Sequence, residues 1–114
     1  MPFFHVISNM EMDSGVRSRI KEEFGRIVED IPGKSERWLM VGFTAGKDNL
    51  YFQGSSEPCA LVDVSVYGHI PEASYDPLTK DITDAVSREA GISKNRIYVK
   101  YSETQHWGLG GENF

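Results

Sequence analysis

The 114-residue chain carries 12 lysine and arginine residues against 17 aspartate and glutamate residues, which gives a net charge of −5. This length suits one domain with one hydrophobic core, residues 1–114, and is too short for two. The acidic balance, with no basic run that could follow a phosphate backbone, argues against a nucleic-acid partner.

The apolar runs are no longer than a strand, so the sequence predicts no transmembrane helix and no membrane partner. The N-terminus has no charged segment followed by an apolar one, and we therefore expect no signal peptide. Cys59 is the single cysteine, which excludes an intramolecular disulfide and fits a reducing compartment. A cytoplasmic protein is the resulting expectation.

The first predicted strand, Phe3 to Ile7, follows directly on Met1-Pro2. Removal of Met1 would turn the nitrogen of Pro2 into a secondary amine held at the end of this strand. An α-amino group has an ordinary pKa of about 8, and burial lowers it toward the range in which a general base works at neutral pH. The alternative is that Met-Pro simply begins an edge strand, where proline is tolerated.

A helix is predicted from Ser14, because the Asp13-Ser14-Gly15 cluster supplies a loop and an N-cap. The apolar residues of this helix recur at steps of three and four, so they share one face. They are Val16, Ile20, Phe24, Ile27, Val28 and Ile31. The Ile31-Pro32-Gly33 sequence is predicted to end the helix, since proline disfavours a helical residue before it and glycine adopts the left-handed cap.

Two more strands are predicted in the middle of the chain. Trp38 to Phe43 is the first, and a glycine turn separates it from a short aromatic piece, Leu50 to Phe52. Cys59 to Tyr67 is the second, with three valines on one face and Asp63 and Ser65 on the other. This alternation is typical of a strand with one buried face.

The last part of the chain repeats the order of helix and strand. Asp76-Pro77 predicts the cap and the first residue of a second helix. Arg96 to Tyr101 is the fourth predicted strand. The tail from Gly108 to Gly111 is too rich in glycine for a stable interior element, although Trp107 and Phe114 are able to anchor it.

The second half of the chain echoes the first at one constant offset. Gly33-Lys34-Ser35 aligns with Gly91-Ile92-Ser93, and the strand around Val41 aligns with the strand around Val99. Two β-α-β units are the economical interpretation. We expect an α/β fold (α+β in some schemes) with a four-stranded mixed sheet and two helices on one face, since each crossover is right-handed. The uncovered face predicts an oligomer in which sheets face one another.

Several motifs, in the same order, resemble the macrophage migration inhibitory factor family of the tautomerase superfamily, nearly from end to end of the chain. They are Met1-Pro2, Gly33-Lys34, Gly54-Ser55-Ser56-Glu57-Pro58-Cys59-Ala60, Tyr67-Gly68 with Ile70, and Arg96-Ile97-Tyr98. The resemblance implies a homotrimer with active sites at the subunit interfaces. It also implies a cofactor-independent keto–enol tautomerase of aryl 2-keto acids such as phenylpyruvate, with dopachrome as a further substrate.

The resemblance assigns roles to residues by position. Pro2 matches the catalytic N-terminal base, and Lys34 matches a pocket lysine that fixes the substrate carboxylate and steadies the enolate oxygen. Without the resemblance, Lys34 would be interpreted as a cation complementing a helix C-terminus. Tyr67 stands where the family usually has isoleucine, and its backbone N–H is expected to donate to the substrate carboxylate.

Five further positions concern the walls of the pocket. Trp38 and Tyr98 match aromatic residues that line it, with ordinary core or rim packing as the alternative. Phe3 and Trp107 are candidates for the apolar wall. Lys100 occupies a position that is often asparagine and is reached from the neighbouring subunit, so a second cation would border the pocket.

Cys59 keeps only the first cysteine of a Cys-x-x-Cys found in some relatives, so a dithiol cycle is excluded and the thiol is expected to be a small buried hydrophobe. The histidines show no metal-ligand spacing, and neither a metal nor a cofactor is expected. Dehalogenation or decarboxylation would need extra arginines near Pro2, but Arg17 and Arg19 lie on the polar face of the first helix.

A rival function is that of a secreted cytokine acting on a receptor protein, with tautomerase activity incidental. Without a signal peptide, secretion would take an unconventional route. The sequence does not separate this function from catalysis.

The segment from Asp48 to Gly54 nearly spells the recognition sequence of a viral protease used to remove purification tags. We interpret the segment as native, because Asp48 replaces the usual glutamate and the family resemblance runs through this region without a gap. An exposed copy would be a liability during purification.

Overall fold

A four-stranded sheet forms the centre of the computed structural model, which describes all 114 residues. The strands are β1 (Pro2–Ser8), β2 (Met40–Ala45), β3 (Ala60–Tyr67) and β4 (Ile97–Thr104). They lie side by side in the order β2-β1-β3-β4. Strand β1 runs parallel to β2 and β3 runs parallel to β4, whereas β1 and β3 are antiparallel. The sheet is mixed and consists of two β-α-β units, which confirms the predicted architecture.

Two helices, α1 (Ser14–Glu29) and α2 (Tyr75–Ala90), supply the other half of the core. Helix α1 begins where predicted, because the Asp13 side chain accepts a hydrogen bond from the Val16 N–H at 2.9 Å. A cluster of 18 buried residues joins the apolar stripes of both helices to one face of the sheet. Neither helix is long and apolar enough to cross a membrane.

The other face of the sheet has no helix over it. On β3 the three valines predicted to be buried are fully inaccessible, and the intervening Asp63 and Ser65 are partly exposed. Asp63 forms an ion pair with Lys100 at 3.4 Å on this face. Nearby, His5 Nε2 and Thr44 Oγ1 lie 2.8 Å apart. The uncovered face therefore combines polar pairs with partly exposed apolar side chains.

The strand registers bear out the internal repeat. Phe3 lies opposite Met40 in the first unit. Leu61 lies opposite Tyr98 in the second unit, at the same sequence offset. Because β1 and β3 are antiparallel, these equivalent pairs lie at opposite ends of the sheet. Residues that play the same part in the two repeats are therefore far apart.

The predicted start of the second strand at Trp38 is wrong. Trp38 ends a 3₁₀ turn, Glu36–Trp38, and β2 begins at Met40. The Ser35 side chain accepts a hydrogen bond from the Arg37 N–H at 3.1 Å and caps this turn. This capping hydrogen bond stabilises the turn, so Trp38 lies in the turn although tryptophan favours strands.

The predicted cap of the second helix is also wrong. Helix α2 begins at Tyr75, so Asp76 and Pro77 both lie in its first turn. Proline is tolerated there because the first backbone N–H groups of a helix have no partner within the helix. Smaller differences affect other boundaries. Helix α1 already ends at Glu29, β1 is longer by one residue at each end, β2 extends to Ala45, β3 begins at Ala60, and β4 runs from Ile97 to Thr104.

The tail forms a hairpin that the sequence did not predict. Strand β5 (Gly108–Leu109) pairs with β6 (Glu112–Asn113) across two glycines with φ of 63° and 95°. Phe114 anchors the end of the hairpin, because its N–H donates to the Trp107 carbonyl at 3.0 Å. The hairpin is exposed, as expected, but it is ordered around both predicted anchors.

Candidate active site

An open cleft of about 340 Å³ borders the N-terminal end of β1. Its walls come from the N-terminus, from the start of β2 with the turn before it, and from the C-terminal hairpin. The lining residues are Met1, Pro2, Phe3, Trp38, Met40, Trp107, Gly108 and Leu109. The structure therefore brings together four of the predicted site residues, Pro2, Phe3, Trp38 and Trp107.

Pro2 is buried, because it lies on the helix-covered face of β1. With Met1 attached, its nitrogen is an amide whose lone pair is delocalised, and it cannot take up a proton as an amine does. The free amine belongs to Met1. Burial, and then the positive charge of Lys34, hold the pKa of this amine below its ordinary value of 8.0. This end of the sheet disfavours a charged amine, which is the condition a terminal base requires.

Lys34 reaches the same end of the sheet from the loop after α1. Its Nζ donates to the Tyr67 carbonyl at 3.0 Å, and its charge acts on the Met1 amine. The ammonium group thus points across to β3 and does not bond the carbonyls of α1. Gly68 follows Tyr67 with φ of 88°, a conformation that favours glycine, whereas an added Cβ would lie 3.8 Å from Lys34 Nζ in ordinary contact.

The backbone of Tyr67 connects these groups. Its N–H donates to the Met1 carbonyl at 3.0 Å, while its own carbonyl accepts from Lys34. The Tyr67 ring lies 5.7 Å from the Phe114 ring, centroid to centroid, so it also supports the hairpin. The Tyr67 N–H, which is predicted to donate to a substrate carboxylate, donates to the Met1 carbonyl in this structure.

The apolar wall depends on a close contact between strands. The Phe3 ring lies over Gly42 of β2, where an added Cβ would come within 3.2 Å of the ring carbon Cε1. Phe3 also stacks on His5 with 5.6 Å between ring centroids. On the opposite side, the Arg37 guanidinium lies 4.9 Å from the Trp38 ring. Both aromatic walls are therefore held by neighbouring groups.

The family model for macrophage migration inhibitory factor (MIF) matches residues 1–113. The chain belongs to the MIF family. A curated macrophage migration inhibitory factor from Meriones unguiculatus is 27% identical over 110 residues, covering 96% of this chain and 94% of the relative.

Solved structures agree with the family assignment. The crystal structure of Leishmania major MIF2 superposes with a TM-score of 0.93 at 35% identity, covering 100% of this chain and 97% of that chain. Macrophage migration inhibitory factor from Toxoplasma gondii gives a TM-score of 0.90 at 24% identity, covering 98% and 99% of the two chains. The sheet and helices described above are thus the MIF fold.

Two predicted site residues lie elsewhere in this MIF-family chain. Tyr98 is opposite Leu61, at the far end of the sheet from Pro2, and Lys100 is opposite Asp63 near the middle. One chain by itself does not bring either residue to the cleft. A pocket containing all eight predicted residues requires more than one copy of the MIF-family chain.

Four lining residues were not predicted as part of the pocket, namely Met1, Met40, Gly108 and Leu109, and Met40 and Leu109 are the two with side chains that remain after removal of Met1. Met40 is 66% exposed at the start of β2, and the internal repeat aligns it with Tyr98, which was a usable signal. Leu109 lines the cleft from the hairpin, and the internal repeat aligns it with Tyr51 of the short aromatic piece. The constant offset was therefore a usable signal for this position as well.

A smaller cleft, of about 120 Å³, lies at the other end of the sheet. It is lined by Leu50, Tyr51, Phe52, Cys59, Ala60, Leu61, Arg96 and Tyr98. Seven of these residues align in the repeat with residues that line the first cleft, namely Met1, Pro2, Phe3, Trp38, Met40, Gly108 and Leu109. The second cleft has Ala60 in place of Pro2 and Ile92 in place of Lys34, so it lacks the chemical groups of the first. Cys59 is 1% exposed there.

No three histidine, cysteine, aspartate or glutamate side chains of the chain are arranged to hold a metal ion. The cleft itself offers a terminal amine and aromatic walls, and the Lys34 ammonium and the Tyr67 backbone N–H lie beside it at the same end of the sheet.

Proposed function

We propose that the chain, once Met1 is removed, is a cofactor-independent keto–enol tautomerase of aryl 2-keto acids such as phenylpyruvate. One observation carries the proposal. Pro2 is buried at a strand end where the Tyr67 N–H donates to the Met1 carbonyl and the Lys34 ammonium donates to the Tyr67 carbonyl. Membership of the MIF family supports the same class of chemistry.

Pro2 acts as the base in this proposal. Its free amine takes a proton from the carbon beside the ketone, the C–H electron pair forms the C=C bond, and the carbonyl pair moves to oxygen. The enolate oxygen then takes a proton from water, and the Pro2 ammonium returns its proton to solvent. The burial and the Lys34 charge that lower the pKa of the Met1 amine would act on the Pro2 amine in the same way.

Lys34 and Tyr67 hold the acidic end of the substrate. Loss of Met1 frees the Tyr67 N–H, which then donates to the carboxylate next to the Lys34 ammonium. A cation at this position also offsets the negative charge that develops on the enolate oxygen. Phe3, Trp38 and Trp107 supply apolar walls for the aryl ring.

A homotrimer completes the site. The uncovered sheet face exposes large apolar side chains, among them Met40 (66%) and Tyr98 (62%), which water does not favour. Contact between such faces in a closed ring would bring Tyr98 and Lys100 of one subunit toward the Pro2 cleft of the next. A free monomer would lack part of its aryl pocket.

A phenylpyruvate tautomerase assay tests the proposal. The protein must have a Pro2 terminus verified by mass, and Pro2→Ala keeps a terminal amine while removing the ring. Lys21→Ala, an exposed lysine on α1, is the matched surface control. We expect turnover by the parent and by the control, and a strong loss in Pro2→Ala. No turnover by the verified parent would contradict the function.

A second candidate function is a secreted signal that acts on a receptor protein, and the name of a relative, macrophage migration inhibitory factor, refers to an effect on cell migration. Under this proposal the protein acts in the cytoplasm as an enzyme and outside the cell after unconventional export. Pro2→Ala separates the two roles. A cell-migration assay should respond equally to parent and variant if receptor binding is independent of catalysis, and should fail with the variant if it depends on the Pro2 amine.

A further inference from the structure

One arginine fastens the loop before β3. The Arg96 guanidinium donates four hydrogen bonds of 3.0 to 3.4 Å to backbone carbonyls. The acceptors are the carbonyl oxygens of Phe52, Ser55, Glu57 and Pro58. Nη2 makes three of these bonds and Nε makes the fourth, so the planar guanidinium holds the loop from two nitrogens, whereas a lysine ammonium has three N–H donors on one nitrogen.

The same guanidinium also contacts a ring. Its central carbon lies 5.2 Å from the centroid of the Phe52 ring. Phe52 in turn meets Tyr98 edge to face, with 4.7 Å between centroids and an interplanar angle of 69°. Tyr98 is 62% exposed, so this contact is the aromatic support of an otherwise open ring. A chain of contacts therefore runs from Arg96 through Phe52 to Tyr98.

The position of Arg96 in the chain places its guanidinium next to the loop before β3. Arg96 ends a 3₁₀ turn, Lys94–Arg96, directly before β4, where its N–H is held by the Ser93 carbonyl at 2.9 Å. In the internal repeat it stands where Trp38 stands in the first cleft. At this position the second repeat thus has an arginine that holds the loop before β3, whereas the first repeat has a tryptophan that lines the cleft.

We propose that Arg96 is a positioning residue that, by holding Phe52, sets the orientation of the Tyr98 ring for the aryl group of a substrate bound in a neighbouring subunit. This inference rests on the proposed tautomerase and its trimer. It predicts a role in selectivity for aryl substrates. Arg96 itself does not touch the reacting atoms.

The test compares phenylpyruvate with an aliphatic 2-keto acid, 2-oxobutanoate, in steady-state kinetics of the intact protein. Arg96→Lys should raise KM for phenylpyruvate about 2- to 10-fold, the size of a lost aromatic contact, with little change in kcat. KM for 2-oxobutanoate should change less than about 2-fold. Arg19→Lys, on the outer face of α1, is the control and should leave both values unchanged.

Phe52→Leu removes the aromatic ring between Arg96 and Tyr98 and leaves the hydrogen bonds of Arg96 to the loop carbonyls in place. It therefore tests the proposal even if Arg96→Lys folds poorly. It should show the same selective rise in KM. The double variants Arg96→Lys with Tyr98→Leu, and Phe52→Leu with Tyr98→Leu, should be no worse than Tyr98→Leu alone, because the residues act as one unit.

Equal losses for both substrates, or additive losses in the double variants, would show a merely structural role and overturn the inference. An unchanged KM for phenylpyruvate in Phe52→Leu would also overturn it. Absence of turnover in the parent is a different result, which contradicts the proposed function and removes the positioning role with it.

Discussion

The Tyr67 N–H and the Met1 carbonyl oxygen are joined by a hydrogen bond of 3.0 Å, at the position where a substrate carboxylate is proposed to bind. Met1 therefore does two things while it remains attached. It converts the Pro2 nitrogen into an amide, and it occupies the backbone donor beside Lys34. Removal of one residue would release both groups together.

The chain that retains Met1 should be defective in binding as well as in catalysis. Loss of a general base costs about 10²- to 10⁴-fold, so we expect phenylpyruvate turnover at least about 10²-fold below that of the Pro2-terminated chain. The unreactive analogue 3-phenylpropanoate should also bind more weakly, as measured by calorimetry. Folding, followed by circular dichroism, should be unchanged. Equal turnover by the two mass-verified forms would show that Pro2 is not the base.

Lys34→Ala should raise KM for aryl 2-keto acids. Expressed as free energy, this loss of binding should be larger than the decrease in the free energy of unfolding. A charge-assisted hydrogen bond contributes about 1.5–3 kcal/mol, which corresponds to a rise in KM of about 10- to 100-fold. Lys21→Ala, exposed on α1, should change neither quantity. Urea unfolding measures the change in the free energy of unfolding. Kinetics identical to those of the parent would show that Lys34 has no role in substrate binding.

The chain should be a trimer in solution. Light scattering at micromolar concentration should give three times the mass of one chain, since the uncovered sheet face buries its apolar side chains only against other copies. Ile7→Lys places a charge on this face, where Ile7 is half-buried, and should yield monomers. Lys21→Glu on the helix side should remain trimeric. A monomer mass for the parent would contradict the assembly.

Glu103 should make the fold sensitive to acid. Its carboxylate accepts hydrogen bonds from the Ile70 N–H at 2.9 Å, the Tyr75 hydroxyl at 2.7 Å and His69 Nδ1 at 3.1 Å. These bonds lower the pKa of Glu103 from 4.5 to about 2. The Glu103 bond is also the main reason that the pKa of Tyr75 rises to about 12.

A carboxyl group with a lower pKa in the folded state stabilises the fold above its unfolded pKa, and this contribution is lost as the pH falls. The free energy of unfolding should therefore decline from about pH 4.5 toward pH 2. Glu103→Gln should flatten this part of the profile, whereas the exposed Glu112→Gln should not. Urea unfolding at a series of pH values measures this dependence of the free energy of unfolding on pH. Parallel profiles for the parent and Glu103→Gln would show that Glu103 is not the source of the acid sensitivity.

The segment that resembles a protease site should resist cleavage in the folded protein. Phe52 and Ser55 exchange two backbone hydrogen bonds of 3.0 Å, and Gln53 between them has φ of 53°. A protease binds its substrate as an extended strand, which this turn cannot offer without opening. Mass spectrometry after incubation with the tag-removing protease should show an intact chain. Rapid cleavage of the folded protein at Gln53 would show that the turn opens freely.

Local pattern was sufficient for much of the fold. The apolar steps of α1 and the alternation along β3 report which face of one element is buried, because 3.6-residue and two-residue periods are properties of neighbouring residues. The internal repeat predicted two equivalent β-α-β units. Met1-Pro2 and Lys34 were recognisable because their positions along the chain matched a family motif.

What only the tertiary structure decided depends on contacts distant in sequence. The antiparallel pairing of β1 with β3 separates Tyr98 from Pro2, and no local period encodes the direction in which two repeats join. The bond between Tyr67 and Met1 exists because that pairing brings the end of β3 to the start of β1. Leu109 lines the cleft because two glycines at positive φ close a hairpin that apolar patterning does not predict. Periodicity determined which faces are buried, whereas strand direction and register determined which residues meet.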